Sequence, residues 1–257
     1  MSTQNVSVSV VIPAYNEELR IRSSLQKVMN FMSENYSDYE VLLVDDGSTD
    51  NTVKIAKEFV TKFANLKIIK NPHSGKGYTV KTGVLKSNKD YILFADADLA
   101  TPIEDLKRFL VWVTENDFDI AIGSREGIGA QREKEPLIRH LMGRVFNFVV
   151  QLLVLKGIND TQNGFKLFKK EAAHKIFKAT LLYPGGKVEG PMVTAFDVEV
   201  LFLARKMGYK IKEVPVNWTY VDESKVNPLK DSIVNFLDVM KVKYNDIKGV
   251  YKFKKIV

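Results

Sequence analysis

Two aspartates one residue apart, Asp96 and Asp98, close the apolar run Tyr91-Ile92-Leu93-Phe94-Ala95, and Asp45 and Asp46 follow another such run. Carboxylates grouped this way suit a hard divalent cation. Magnesium takes one or two protein carboxylates and fills its shell with water and substrate phosphates. In extended backbone, residues two apart point to one side, so Asp96 and Asp98 are expected to share an ion that neutralises a departing diphosphate. Helix capping is the plainer explanation of aspartates after strands. It accounts for Ser48-Thr49-Asp50, but a helix start needs one cap, and four aspartates remain. A third polar cluster, Pro13-Ala14-Tyr15-Asn16-Glu17-Glu18, follows the first apolar run.

The elements that must position these groups alternate. Strands are expected at Val6–Pro13, Tyr39–Val44, Leu66–Lys70, Tyr91–Ala95 and Asp119–Gly123, with helices between them at Glu17–Glu34, Asn51–Phe63, Lys76–Ser87 and Pro102–Glu115. Such alternation predicts an α/β fold: a Rossmann-like, mostly parallel sheet with helices on both faces. Ligands of such sheets bind at the carboxyl ends of the strands, where all three polar clusters fall. The second half reads as a long apolar helix Leu137–Leu155, a short helix Glu171–Phe177 and a loop Leu182–Pro191. A helix Ala195–Met207, a strand Lys212–Tyr220 and an amphipathic helix Leu229–Tyr244 complete it.

Eight motifs in order now carry a resemblance. They are Val10-Val11-Ile12-Pro13-Ala14-Tyr15-Asn16-Glu17-Glu18, Val44-Asp45-Asp46-Gly47-Ser48, Gly75-Lys76-Gly77 and Ala95-Asp96-Ala97-Asp98 in the first half. Ile122-Gly123-Ser124-Arg125, Asp160-Thr161-Gln162-Asn163-Gly164-Phe165-Lys166, Ala195-Phe196-Asp197-Val198-Glu199 and Val214-Pro215-Val216-Asn217-Trp218 follow. The chain resembles the inverting family-2 glycosyltransferases of the GT-A fold and, within them, the polyprenyl-phosphate sugar synthases of the dolichyl-phosphate β-glucosyltransferase group.

The resemblance implies a metal-dependent hexosyltransferase. Pro13, Tyr15 and Glu17 would line the donor pocket; Val44 and Asp46, with Asp45 beside them, would meet base and ribose; Lys76 and Ala97 would join the donor site. Asp96 and Asp98 would hold magnesium or manganese and the diphosphate. Arg125 and Lys166 would face phosphate groups, and Arg139, opening the apolar helix, would take the acceptor phosphate with Arg125. Mannose-transferring relatives often carry glutamine where this chain has Ala100, which points to glucose or N-acetylglucosamine, carried on a uridine diphosphate. A saccharide or lipid hydroxyl acceptor, or mannose transfer from a guanosine diphosphate, stands as the alternative. Thr194 replaces an aromatic residue that often precedes the Ala-Phe-Asp stretch.

Bulk properties fit a globular enzyme. Hydrophobic residues make up 45% and charged residues 27% of the 257, and the absence of cysteine excludes disulfides, thiolate metal sites and a cysteine nucleophile. The net charge of +7 gathers at the end, where eight lysines from Lys225 onward meet Asp231, Asp238 and Asp246. Residues 1–228 read as the GT-A domain and 229–257 as an amphipathic basic segment facing a membrane surface. The first residues lack a signal-peptide pattern, and no stretch has the roughly 20 apolar residues a membrane span needs. A cytoplasmic protein, peripherally bound to a membrane that carries its polyprenyl phosphate acceptor, is expected. Nucleic acid is not an expected partner, because aromatics and arginines are not interleaved on a strand platform. A sugar nucleotidyltransferase is disfavoured, since no glycine-rich basic loop follows the first strand. His73, His140 and His174 lack metal spacing and read as incidental.

Overall fold

The computed structural model describes residues 6–186, 188, 195–220, 228–251 and 253. Thr194, part of the Leu182–Pro191 loop and lysines 225, 252, 254 and 255 of the basic end lie outside them.

Seven strands make one sheet: β1 Val8–Ala14, β2 Tyr39–Asp45, β3 Leu66–Lys70, β4 Tyr91–Ala95, β5 Ile120–Ser124, β7 Phe165–Lys169 and β8 Ile211–Pro215, in the order β3-β2-β1-β4-β7-β5-β8. A second sheet pairs β6, Gln131–Glu133, with β9, Asn217–Thr219, in parallel. Parallel pairing runs through β3, β2, β1 and β4, while β7 is antiparallel to both its neighbours. The sheet is therefore mixed. β7, Phe165–Lys169, was not among the expected strands. The expected strand Lys212–Tyr220 is in fact β8 and β9, divided at Val216, one in each sheet.

The helices are α1 Ile21–Asn35, α2 Thr52–Val60, α3 Lys76–Lys86, α4 Leu106–Thr114, α5 Leu137–Leu153, α6 Lys170–Ala179, α7 Phe196–Met207 and α8 Pro228–Ile247. The first starts four residues later than expected, since Asn16 takes a left-handed φ of 53° and Glu17–Arg20 form a turn ahead of it. Strand alternation sends side chains to two cores. Val8, Val10 and Ile12 of β1 join α1, α2 and α4 on one face, and Val11 joins α3, α6 and α7 on the other. Helices thus cover both faces. α8 packs on α5 and α7, with Val239 and Val242 fully buried.

α5 and α8 also leave apolar side chains outward. Leu137, Ile138, Leu141, Val145, Phe148 and Leu152 follow helical spacing on α5, and Ile233, Leu237, Met240, Tyr244 and Ile247 do so on α8; all are exposed. Among the described residues no helix is long and apolar enough to cross a membrane.

Candidate active site

A cavity of about 500 Å³ opens at the carboxyl ends of β1 and β4 and extends to α5 and α8. Its first end is built by loops that lace one another. The backbone N–H of Asn16 donates to Ser48 Oγ (2.9 Å), that of Glu17 to Thr52 Oγ1 (2.7 Å), and that of Glu18 to Asp50 Oδ2 (3.1 Å). The Ser-Thr-Asp cluster therefore does more than cap α2, although Asp50 also accepts from Thr52 N–H (2.9 Å). Pro13, Tyr15 and Glu17 line the cavity as expected.

Asp46 reaches the cavity with its carboxylate already engaged. It accepts from the backbone N–H of Ser74 (2.8 Å) and Gly75 (2.9 Å) and bonds His73 Nδ1 (2.8 Å). It thereby sets the loop that delivers Lys76 at the start of α3. Asp45 accepts from Ser48 N–H (3.2 Å) and does not line the cavity, and neither does Val44, whose side chain is buried against Gly83. His73 is not incidental. Its ring stacks on Tyr15 with centroids 4.0 Å apart and planes 7° apart, making an aromatic wall. His140 pairs with Glu135 (3.2 Å), and His174 Nε2 bonds the Val84 carbonyl (3.0 Å).

The paired aspartates lie in a turn rather than in extended backbone. β4 ends at Ala95, the N–H of Leu99 donates to the Asp96 carbonyl (3.1 Å), and Leu99 takes a φ of 48°. Asp96, Ala97 and Asp98 nonetheless all line the cavity. Asp96 rests on the chain at Gly164, where a Cβ would lie 1.9 Å from its Oδ2, so only glycine fits. Lys76 Nζ stands 2.7 Å from Asp96 Oδ1. Burial pulls the Lys76 ammonium's pKa down, but Asp96, Asp197 and Asp98 outweigh it and leave it raised. Burial, with the Asp96 charge, raises Asp98, against the Ala100 N–H and nearby cations. Two mutually repelling oxygen donors of this kind fit a divalent ion. Among the described residues no group of three or more His, Cys, Asp or Glu could hold a metal.

Lys166 corrects an expectation. Its side chain is 1% exposed, lies outside the cavity lining, and ends on the Asp197 carboxylate and the Asn163 carbonyl. It is a buried counter-ion beneath the site. Burial raises Asp197 despite Lys166 and Lys76.

The second end carries arginines 125, 132, 139 and 144. Arg125 grips Asp160 in a two-bond fork, Nε to Oδ2 at 2.7 Å and Nη2 to Oδ1 at 2.9 Å, and lies 5.1 Å over the Trp218 ring. Burial opposes both charges, yet the pairing prevails: Arg125 is raised, and Asp160 falls to about 2. The backbone N–H groups of Asn159 and Asp160 donate to Glu213 (3.0 Å each), fixing the loop to β8. Arg132 pairs with Glu126 and Glu135, Arg144 with Glu126 (3.3 Å), and Arg139 lies 4.9 Å over the Tyr220 ring.

Residues 9–177 match the family described as Glycosyl transferase family 2. A dolichyl-phosphate beta-glucosyltransferase of Dictyostelium discoideum is 37% identical over 97% of this chain and 78% of its own length. Its namesake from Homo sapiens is 34% identical over 96% of this chain and 78% of its own length. Among solved structures, glucosyl-3-phosphoglycerate synthase from Mycobacterium tuberculosis, bound to Mn2+, uridine-diphosphate-glucose and phosphoglyceric acid, has a TM-score of 0.64 at 17% identity. That alignment covers 95% of this chain and 80% of the synthase. The mannosyltransferase PcManGT from Pyrobaculum calidifontis, bound to GDP-Man and Mn2+, has a TM-score of 0.60 at 16% identity, covering 99% of this chain and 67% of its own. These likenesses agree with the fold and with the strand-end site, and the chain belongs to glycosyl transferase family 2, as a glycosyltransferase of the GT-A fold.

Proposed function

We propose that the chain transfers glucose from uridine diphosphate glucose to the phosphate of a dolichyl-type polyprenyl lipid, with inversion at the anomeric carbon. The observation that carries this is the chemical division of one cavity. Carboxylates and Lys76 line the end at β1 and β4, whereas four arginines line the end beside the exposed apolar face of α5. The names of relatives at about 35% identity support the sugar and the acceptor.

Asp96 and Asp98 would hold magnesium or manganese, which when bound neutralises the diphosphate as it leaves. Lys76 adds a fixed positive charge beside them. Tyr15 and His73 offer a flat wall to the base, and Asp46 keeps that wall and Lys76 in register. At the other end, Arg125 and Arg139 take the acceptor phosphate. A phosphate monoester has its second pKa near roughly 6, so its oxygen arrives as an anion. That oxygen attacks the anomeric carbon while the bond to the diphosphate oxygen breaks on the opposite side. No general base is required. Asp160 and Asp197, each bound to a cation, hold Arg125 and Lys166 in place instead. The enzyme's contribution is alignment and charge stabilisation.

The stripes of α5 and α8 place an apolar surface beside the arginine end, which suits peripheral docking on a bilayer whose lipid phosphate enters there. The test is a panel of nucleotide sugars offered with polyprenyl phosphate in vesicles, with mass detection of the lipid product. Glucosylated lipid from the uridine donor is expected. A product on a free saccharide, or one formed from guanosine diphosphate mannose alone, would replace the reading.

A further inference from the structure

α8 carries a buried carboxylate, Asp238, bonded to two residues beside the cavity floor. Asp238 is 4% exposed, and its Oδ2 accepts two bonds, one from the Tyr183 hydroxyl and one from the Ala195 backbone N–H (3.3 Å). Both donors lead into the site. Ala195 is the residue from which α7 starts, and the next two, Phe196 and Asp197, line the cavity. The Tyr183 ring, itself buried, presses on the first turn of α3. A Cβ on Gly77 would lie 2.8 Å from Tyr183 Cδ2 and 2.9 Å from Phe196 Cβ. Gly77 directly follows Lys76. Tyr183 is thus wedged between the helix start bearing Lys76, the helix start bearing Asp197, and α8.

We propose that Tyr183 and Asp238 form a positioning pair, through which α8 sets where Lys76 and Asp197 stand on the cavity floor. Two further observations support it. Lys76 Nζ and Lys166 Nζ both lie over the Phe94 ring, at 5.5 and 5.7 Å, and Phe196 packs on the same ring, so α3 and α7 converge on a single support. Tyr183 adds a second contact at the same helix starts, against Gly77 of α3. α8 also adds Ser232 and Asn235 to the cavity wall, within two turns before Asp238. A side chain buried only for stability would have been met well by an apolar residue. A carboxylate that spends one oxygen on a tyrosine hydroxyl and a helix start fixes orientation as well, because hydrogen bonds are directional.

The inference rests on the cavity being the transfer site, and the test separates the two ideas. Variants Tyr183→Phe, Asp238→Ala, Asp238→Asn and the double Tyr183→Phe/Asp238→Ala are assayed in the full chain. The readouts are glucose transfer to polyprenyl phosphate, the stoichiometry of uridine diphosphate binding with Mn2+, and the rate at which Lys76 is acylated by an amine-reactive ester. Tyr183→Phe and Asp238→Ala are each expected to lower kcat about ten- to a hundredfold, the range for losing a hydrogen bond to a charged group. Binding stoichiometry should stay at the wild-type value, and Lys76 should be acylated faster as its contact with Asp96 loosens. The double variant should do no worse than the poorer single, since both changes break one linkage. Asp238→Asn keeps an acceptor oxygen for both donors and should restore turnover. Multiplying losses in the double variant would overturn the pair, as would a stoichiometry falling in step with kcat, or Asp238→Asn behaving like Asp238→Ala. If the wild type transfers no glucose while Lys76 acylation follows the expected pattern, the proposed substrates are wrong and the pair stands.

Discussion

The two ends of the cavity are built on opposite plans. At the donor end, three strand-end loops hold one another through backbone N–H groups and short side chains, and the charges left over are Lys76, Asp96 and Asp98. At the other end, arginines come from the residue after β5, from β6 and from α5; Asp160, 35 residues on, holds Arg125, while Glu126 and Glu135 hold Arg132 from nearby in the chain. The first plan sets carboxylates and Lys76 at the ends of β1 and β4. The second sets ion-paired arginines beside the exposed apolar face of α5. The contrast teaches that one cavity can carry two chemistries: carboxylates with one lysine at the strand ends, and arginines with their paired acids beside α5, which the proposed reading divides between leaving group and nucleophile.

Removing the charge at the donor end should have the largest effect. Asp98→Ala is expected to cut transfer by on the order of a thousandfold, because several kcal/mol of charge stabilisation in the leaving diphosphate are lost. The thermal unfolding midpoint should not fall much, since burial and the Asp96 charge set an ionised Asp98 against the fold, while the bond it accepts from the Ala100 N–H (3.0 Å) works the other way. Excess chelator should do the same to the wild type. Full turnover in chelator would dissolve the distinction between the two ends.

How far the sequence revealed this follows the same division. Asp96, Asp98, Tyr15 and Glu17 were legible because the chain places them just after short apolar strands, where the fold rule points. What was not legible depends on distant partners. Lys166 reads as a phosphate ligand in a motif, but β7 runs antiparallel through the middle of the sheet and turns it down onto Asp197. Asp46 reads as a ribose ligand, yet its carboxylate faces the N–H groups of residues 74 and 75, a contact across 28 residues that no local pattern encodes. The 3.6-residue pattern showed α5 as a helix. It could not say which apolar residues would remain outside.

The next test concerns the acceptor end. Asp160→Ala leaves a largely buried Arg125 without its partner, and breaking such a pair costs about 3 kcal/mol. The variant should unfold earlier in urea by that amount. The pH dependence has a definite sign. The folded pKa of Asp160 is about 2, below its ordinary 3.8, so its contribution is complete above roughly 4 and is lost as pH falls towards 2. The wild type should exceed Asp160→Asn in stability above that window, and the gap should close as pH falls through it. A variant as stable as the wild type would mean that this end is held by other contacts.

Arg139→Ala should be milder and should act on one substrate. Arg139 lies over the Tyr220 ring, at the end of the cavity beside the apolar face of α5. One lost charge-assisted bond to phosphate costs about 1.5–3 kcal/mol, or roughly ten- to a hundredfold in acceptor kcat/KM. The donor Michaelis constant should be unchanged in steady-state kinetics with both substrates varied. A raised donor constant would place this arginine with the leaving group and move the boundary between the two ends.

The smallest effect belongs to His73, the donor-end residue the sequence did not single out. Its ring lies flat on Tyr15, and its Nδ1 bonds Asp46. His73→Ala removes the stack but leaves Asp46 its two backbone donors at residues 74 and 75, so the loop carrying Lys76 should keep its place. An aromatic pair is worth about 0.5–1.5 kcal/mol beyond its buried area. Affinity for uridine diphosphate should therefore fall only about two- to tenfold by calorimetry, while kcat at saturating donor stays near wild type. His73→Phe keeps a flat ring and should recover most of the affinity. If Phe fails where His succeeds, the Nδ1 bond to Asp46 matters more than the stack, and the rigidity of the donor end depends on that ring as well as on the backbone of the loop.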